Sequence, residues 1–358
     1  MIKNEKKIIH IIVPFFNSEK TIEKSLNSIL KKKNSATNFD FKIILVNDGS
    51  TDSSVKICNK FKFDKDFELI NLEINKGVSH ARNCGLRKIK TSDFVVFLDA
   101  DDELLDDFFI NIERFICQGG LGVGQELFFT NNRLSKISKY FHKEKVISKF
   151  DILKYVLKFL KKPNFYGLFS YCWGRIYDFN IIRKHNIEFD ESLSTFEDVE
   201  FNFQYLIHCF QINFIMLPIY KHNIANPGNS QTYSSKSSIS SNFGFIKALS
   251  QVEVFFNKSL INNRGSNHKL KNKIKHTIAA YTSIVLTRQC FRWKSIIVCV
   301  SKYPEIIKNL FKEFNLSKPF AFYNPTKANG SKILTILLCK KLWTFAAIFL
   351  YIKFKKRY

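Results

Sequence analysis

Residues Asp93 to Glu103 read DFVVFLDADDE. The first half, Phe94 to Leu98, is an unbroken apolar run whose length and β-branched or aromatic composition suit a strand buried on both faces. The second half sets Asp99, Asp101, Asp102 and Glu103 directly after it. Carboxylates this close repel one another, and a buried strand that ends on them loses stability unless a cation or an array of donors neutralises the cluster. An Asp-x-Asp spacing with oxygen-only ligands suits a hard divalent ion, Mg²⁺ or Mn²⁺, with coordination positions left open for phosphate oxygens. The plainer alternative is a solvated acidic turn that caps a helix beginning near Leu104.

Upstream, the same strand-then-polar-loop pattern occurs three more times. Ile8 to Val13 is a continuous apolar strand, followed by PFFN and a helix with Ile22, Leu26, Ile29 and Leu30 at helical spacing. Lys42 to Val46 is a second strand, closed by NDGSTD, where Thr51 or Asp52 can cap a helix carrying Val55, Cys58 and Phe61. Phe67 to Leu72 is a third, ending in NKGVSHARNCGL and a helix to about Ile89. The order β-α-β-α-β-α-β predicts an α/β fold with a parallel sheet and right-handed crossovers. Ligands of such sheets bind beyond the carboxyl ends of the strands, where strand order reverses. Pro14, Asn17, Asp48, Arg82 and the acidic cluster all fall there. Neither G-x-G-x-x-G after the first strand nor G-x-x-x-x-G-K-[ST] is present, which argues against the dinucleotide and P-loop solutions. GGLGVG at 119–124 matches neither and reads as a flexible turn.

The whole chain, 358 residues with 45% hydrophobic content, is long enough for one large α/β domain and an appendage, and too apolar for disorder. Eight cysteines without a Cys-x-x-Cys pair read as reduced cytosolic thiols and argue against zinc. The apolar run at Ile8 to Val13 is too short for a signal peptide. Charge is concentrated at one end. From Lys258 onward 21 Lys and Arg face only Glu305 and Glu313, so 19 of the 25 excess positive charges lie there. Such a tail seeks an anionic partner, nucleic acid or acidic lipid.

VPFFN, VNDGSTDSS, NKGVSHARNCGL and FLDADD, in this order and spacing, resemble the family 2 glycosyltransferases, inverting enzymes of GT-A fold that use nucleotide-sugar donors. The resemblance is close over residues 8–108, a donor half, and looser over 109–233, an acceptor half. It implies a Rossmann-like nucleotide-sugar domain over 1–233 with a helical, basic region over 234–358. By the same resemblance Asp48 accepts from the uracil imide and Pro14 and Phe15 line the base pocket, with Asn17 beside them. Arg82 lies near the base and diphosphate, and Asp99 and Asp101 form the DxD pair, with Asp101 on the metal and Asp99 on ribose or the metal shell. Asp102 is expected to cap the next helix instead.

In the acceptor half, YCWGRIYD (171–178) and FDESLSTFEDVEFNFQYL (189–206) look like the same family. Asp198 of the ED pair corresponds to its general base, with Glu197 beside it; an acidic first helical turn is the structural alternative. Inversion needs one carboxylate to take the acceptor hydroxyl proton while a metal-bound diphosphate leaves unaided. Trp173 reads either as a stacking platform for sugar or as core. His222 falls in an expected mobile loop over the diphosphate, with Asn223 to Ser241 ordering only when donor binds.

The last segment, 333–357, is strongly apolar but interrupted by Lys340 and Lys341 and closed by KFKKR, too broken for a membrane span. It reads as an interfacial helix on an anionic leaflet, or as a helix packed on protein. The resulting expectation is a hexosyl or N-acetylhexosaminyl transferase, UDP-sugar favoured, at the inner face of the cytoplasmic membrane. Its acceptor would be a surface glycan such as lipopolysaccharide, capsule or a lipid-linked oligosaccharide. A nucleic-acid-binding protein using the basic tail, and an inactive sugar-nucleotide-binding relative, are the competing readings; no groove-reading motif supports the first.

Overall fold

The computed structural model describes residues 6–35, 38–61, 64–138, 140–148, 151–156, 167–224, 244–259, 272–280, 282, 286, 296–321 and 332–355. The chain divides into two compact units, one formed by Met1–Phe159 with Pro163–Ser235, the other by Leu160–Lys162 with Lys236–Tyr358.

The first unit opens β1 (Lys7–Phe15), α1 (Ile22–Leu30), β2 (Phe39–Asp48), α2 (Ser54–Asn59), β3 (Phe67–Leu72), α3 (Val78–Lys88) and β4 (Phe94–Phe97), the predicted alternation. It continues with β5 (Glu103–Leu104), α4 (Asp106–Ile110), α5 (Ile112–Phe115), β6 (Gly120–Thr130), β7 (Arg133–Ile137), β8 (Lys145–Ser148) and α6 (151–156). β9 (Arg175–Asp178), α7 (Phe179–Lys184), α8 (Glu197–His208) and β10 (Gln211–Ile224) complete it. The order across the sheet is β3-β2-β1-β4-β9-β6-β10-β5. β1 pairs in parallel with both β2 and β4, so the order reverses between β1 and β4, and the loops after these two strands share one crevice. From β4 onward the sheet is mixed, because β9 runs antiparallel to β4 and to β6.

Ile9, Ile11 and Val13 of β1 bury one face against Ile22, Leu26 and Ile29 of α1, whose spacing fills one helical stripe. His10, at the edge of that core, stands in register with Lys42 and keeps Nδ1 buried without a partner. Burial first, then the Lys42 charge, lowers its pKa to about 4, against a smaller opposing effect of Glu68. A histidine whose folded pKa is depressed is stability-neutral above its unfolded value. It weakens the fold as pH falls from about 6.5 toward about 4, because the unfolded chain protonates first. The urea midpoint of a His10→Leu variant should therefore gain on the wild type on going from about pH 7 to about pH 5. A constant difference would show that His10 does not titrate in that window.

Of GGLGVG only Gly119 lies in a turn, at φ 68°. Gly120 to Gly124 open β6, deep in the sheet between β9 and β10. The glycines serve close approach: a Cβ on Gly122 would run into the Phe115 carbonyl, and one on Gly124 would lie 2.6 Å from Ile219 Cγ1. Ile152, Leu153, Val156, Leu157 and Leu160 share one helical face in the sequence, which predicts a helix over 150–160; residues 151–156 are helical, and 150 and 157–160 lie outside the described residues.

The second unit contains α9 (Gly244–Ser259), α10 (272–280), α11 (Ile296–Glu313), α12 (Ser317–Ala321), α13 (Lys332–Cys339) and α14 (Trp343–Lys355). No helix among the described residues is long and apolar enough to cross a membrane. No disulfide forms among the described cysteines.

Candidate active site

The acidic cluster after β4 is resolved residue by residue. Asp99 Oδ1 accepts from Arg82 Nη2 at 2.9 Å. Asp102, fully buried, accepts from the Tyr220 hydroxyl at 2.8 Å and the Asn223 backbone N–H at 2.8 Å, and its Oδ2 lies 2.9 Å from His222 Nδ1. Glu103 is held between Lys24 at 2.7 Å and Lys221 at 2.9 Å. Asp101 alone of the four makes no ion pair among the described residues, and it is the exposed member. Although its outer edge meets solvent, the packed cluster strips water from its carboxyl. With the charges of Asp102 and Asp99 this pushes its pKa up to about 7.

These positions correct two expectations. Asp102 caps no helix: α4 starts at Asp106 behind Leu105, and the Asp102 carboxylate ties the acidic loop to β10. His222 sits on β10, not on a mobile loop; its ring stacks on Trp173 at 5.0 Å. Burial opposes its protonation, but the hydrogen bond and charge of Asp102 outweigh this and raise its pKa. Of the loop expected from Asn223 to Ser241, residues 225–241 lie outside the described residues. Trp173 is 3% exposed and stacks between Tyr171 at 4.2 Å and Tyr220 at 4.6 Å, so it is core, with no face free for a sugar.

At the other strand ends the picture is also sharper than the sequence allowed. Pro14 and Phe15 are both buried, Phe15 within the hydrophobic core, and the neighbouring Phe16 is the aromatic that reaches solvent. Asn17, exposed with φ 47°, accepts the Thr51 N–H at 2.8 Å and so joins the loops after β1 and β2. Asp48, 3% exposed, accepts the Lys76 and Gly77 N–H groups at 2.9 and 2.8 Å, which fixes the loop that leads into α3.

That loop delivers Arg82. The guanidinium is buried, its Nη1 donates to Asp198 Oδ1 at 2.8 Å while Nη2 donates to Asp99, and Glu197 stands 3.9 Å away. Asp198 and Glu197 occupy the first turn of α8, where the helix dipole favours negative charge. The turn is entered through Phe196 at φ 66°, a strained backbone for a bulky residue. Asp198 Oδ2 also accepts the Cys172 N–H at 3.1 Å. Burial raises the Asp198 pKa, with Arg82 working the other way. Burial and then the Asp198 charge push Glu197 up to about 7. Arg82 thus brings Asp99 from the donor half and Asp198 from the acceptor half onto one side chain.

Sequence reasoning missed Tyr220 and Asn83. The Tyr220 hydroxyl accepts the Asp99 N–H at 3.2 Å, and Asn83 trades reciprocal 2.8 Å hydrogen bonds with the Phe189 backbone. The partners lie more than a hundred residues away in sequence, so no local pattern marks them.

Residues 10–182 match the family model for Glycosyl transferase family 2. The chain is 34% identical over 200 residues to the teichoic acid poly(glycerol phosphate) polymerase of Staphylococcus epidermidis, covering 55% of this chain and 25% of that one. It is 29% identical over 211 residues to the minor teichoic acid biosynthesis protein GgaA of Bacillus subtilis, covering 55% and 43%. The chain therefore spans less than half the length of either relative. Among solved structures, S. aureus TarS 1–349 in complex with UDP-GlcNAc superposes with a TM-score of 0.62 at 19% identity, over 97% of this chain and 91% of that one. At that identity the likeness is one of fold, the α/β GT-A fold with a mixed, largely parallel sheet. The four ordered motifs, the β1/β4 switch point and the family match bear out the resemblance, and residues 10–182 of this chain are those of a glycosyl transferase family 2 match.

Proposed function

We propose that the chain transfers a hexose or N-acetylhexosamine, with inversion, from a nucleotide sugar, UDP-linked by preference, to a hydroxyl of a growing bacterial surface polymer. The observation that carries this reading is the partition of the acidic cluster. Three of its four carboxylates are neutralised by the protein's own groups, and Asp101 is left unneutralised at the switch-point crevice. The donor set fits a hard divalent ion, Mg²⁺ or Mn²⁺, held by Asp101 and Asp99. No group of three acidic, histidine or cysteine ligands assembles among the described residues, so donor phosphates and water would complete the shell, as magnesium prefers. Such an ion, when bound, offsets charge on the departing diphosphate.

The protein's own residues do the rest. Asp198 takes the acceptor proton, and a carboxylate whose pKa is raised by burial suits that task near neutral pH. Arg82 holds Asp198 and Asp99 in fixed relation. His222, whose protonated form the Asp102 carboxylate favours, offers a further group near the diphosphate. The similarity to teichoic-acid proteins and to a UDP-GlcNAc-binding TarS supports a surface polymer as acceptor and a UDP-sugar as donor.

A thermal-shift titration with UDP-GlcNAc and other nucleotide sugars tests the reading. At ligand about 100-fold above Kd the native state should gain about 2.7 kcal/mol. The gain should require Mn²⁺ or Mg²⁺, and Asp101→Ala should remove it. Absence of a shift with every nucleotide sugar, or an undiminished shift in Asp101→Ala, refutes the assignment.

A further inference from the structure

The helices α13 and α14 form an apolar hairpin in the second unit. Its turn is closed by the Leu342 N–H to Leu337 O bond at 2.8 Å and the Lys341 N–H to Leu338 O bond at 3.2 Å, with Lys341 at φ 56°. This is a Schellman ending that stops α13 and reverses the chain. Leu334, Leu338, Ala346, Ala347 and Leu350 point inward and are buried. The opposite faces are just as apolar but bare. Ile333 and Ile336 of α13 are 56% and 53% exposed, and Phe345 and Ile352 of α14 are 61% and 49% exposed. A helix that is apolar all round is ordinarily covered on every side, by protein or by lipid.

Charge decides between these. Lys340 and Lys341 stand exposed at the hairpin turn, and the sequence carries no Asp or Glu after Glu313. A second copy seated on this face would bring like charges together. An anionic bilayer would meet the Lys340 and Lys341 ammonium groups at the turn and the bare apolar side chains beside them. At 1.5 Å per residue, α13 and α14 span about 12 and 20 Å, short of the roughly 30 Å hydrocarbon core. The hairpin lies on a membrane instead of crossing it.

We propose that the α13–α14 hairpin docks the protein on an anionic lipid surface, with Ile336 and Phe345 buried in the interface and Lys340 and Lys341 at the phosphates. This stands independently of the transfer reaction, because it involves no residue of the site.

Flotation of the full chain with phosphatidylcholine vesicles, with and without phosphatidylglycerol, tests it without any sugar substrate. The expected result is binding only when phosphatidylglycerol is present, weakened by salt, and reduced about tenfold or more by Ile336→Asp or Phe345→Asp. Both side chains are exposed, so the variants should keep the wild-type helical circular dichroism. Failure to float overturns the proposal. Binding that survives both aspartates shows attraction by charge alone and overturns it too, as does a concentration-dependent dimer that Phe345→Asp dissociates.

Discussion

Asp198→Asn should lower sugar transfer by about 10²- to 10⁴-fold, the usual contribution of a positioned general base. Binding of the nucleotide sugar should change by no more than about threefold, since Asp101 and Asp99 are untouched and Arg82 remains anchored to Asp99 at 2.9 Å. The substitution removes a charge that both neighbours require. Arg82 and the Cys172 N–H are donors, and an amide can accept from only one of them while its NH₂ faces the other. The pH profile separates chemistry from local disturbance. Burial raises both Asp198 and Glu197, the latter to about 7, so protonation silences the wild type on an acid limb lying above the ordinary carboxylate range. Activity rises as pH climbs through that limb. The residual activity of Asp198→Asn should lack it. Equal loss of donor binding and turnover, or an unchanged limb, would move the base elsewhere.

Glu126→Ala is expected to cost about 3–5 kcal/mol of stability, because it strands a buried positive charge. Arg175 opens β9 and Glu126 lies on β6, and both side chains are fully buried as an ion pair. The guanidinium also donates to the Leu168 carbonyl at 3.0 Å, the Gly174 carbonyl at 2.9 Å and the Tyr140 hydroxyl at 3.2 Å. The guanidinium holds the carbonyl of Gly174, whose φ of 64° favours glycine, and a Cβ there would lie 3.2 Å from Glu126 Cγ, closer than ordinary contact. Cys172 and Trp173 are placed by the same turn, and Cys172 holds Asp198. Removing both charges together, Glu126→Met with Arg175→Met, should recover most of the loss, since no unpaired ion remains. Urea denaturation of the two variants measures the difference. A double variant no more stable than Glu126→Ala would show that the charge is not the origin.

Legibility along the chain tracks the range of the interactions. β1 to β4 and α1 to α3 could be read directly, because continuous apolar strands and 3.6-residue spacing are local signals. Their loops carried Asp48, Arg82, Asp99 and Asp101 to one edge of the sheet by topology alone. Glu197 and Asp198 were legible as acids opening a helix. β6 was not, because a strand rich in glycine looks like a turn until the backbone crowding against Phe115 and Ile219 is seen. Phe15 and Phe16 alternate across the strand end, and which of the two faces the core depends on where the sheet is covered.

Local periodicity and turn chemistry in the sequence determined the α/β class, and four ordered motifs carried the resemblance to the family and named the carboxylates available for chemistry. The tertiary structure decided how those carboxylates divide their labour. Asp102 became a tie to β10, Glu103 a salt-bridged acid, Asp99 and Asp198 the two ends of one arginine, and Asp101 the acid left for a cation. The physical reason is that neutralising a buried charge needs donors within about 3 Å. Here those donors come from positions as many as 121 residues along the chain, as with the Asn223 N–H on Asp102, which only folding brings together.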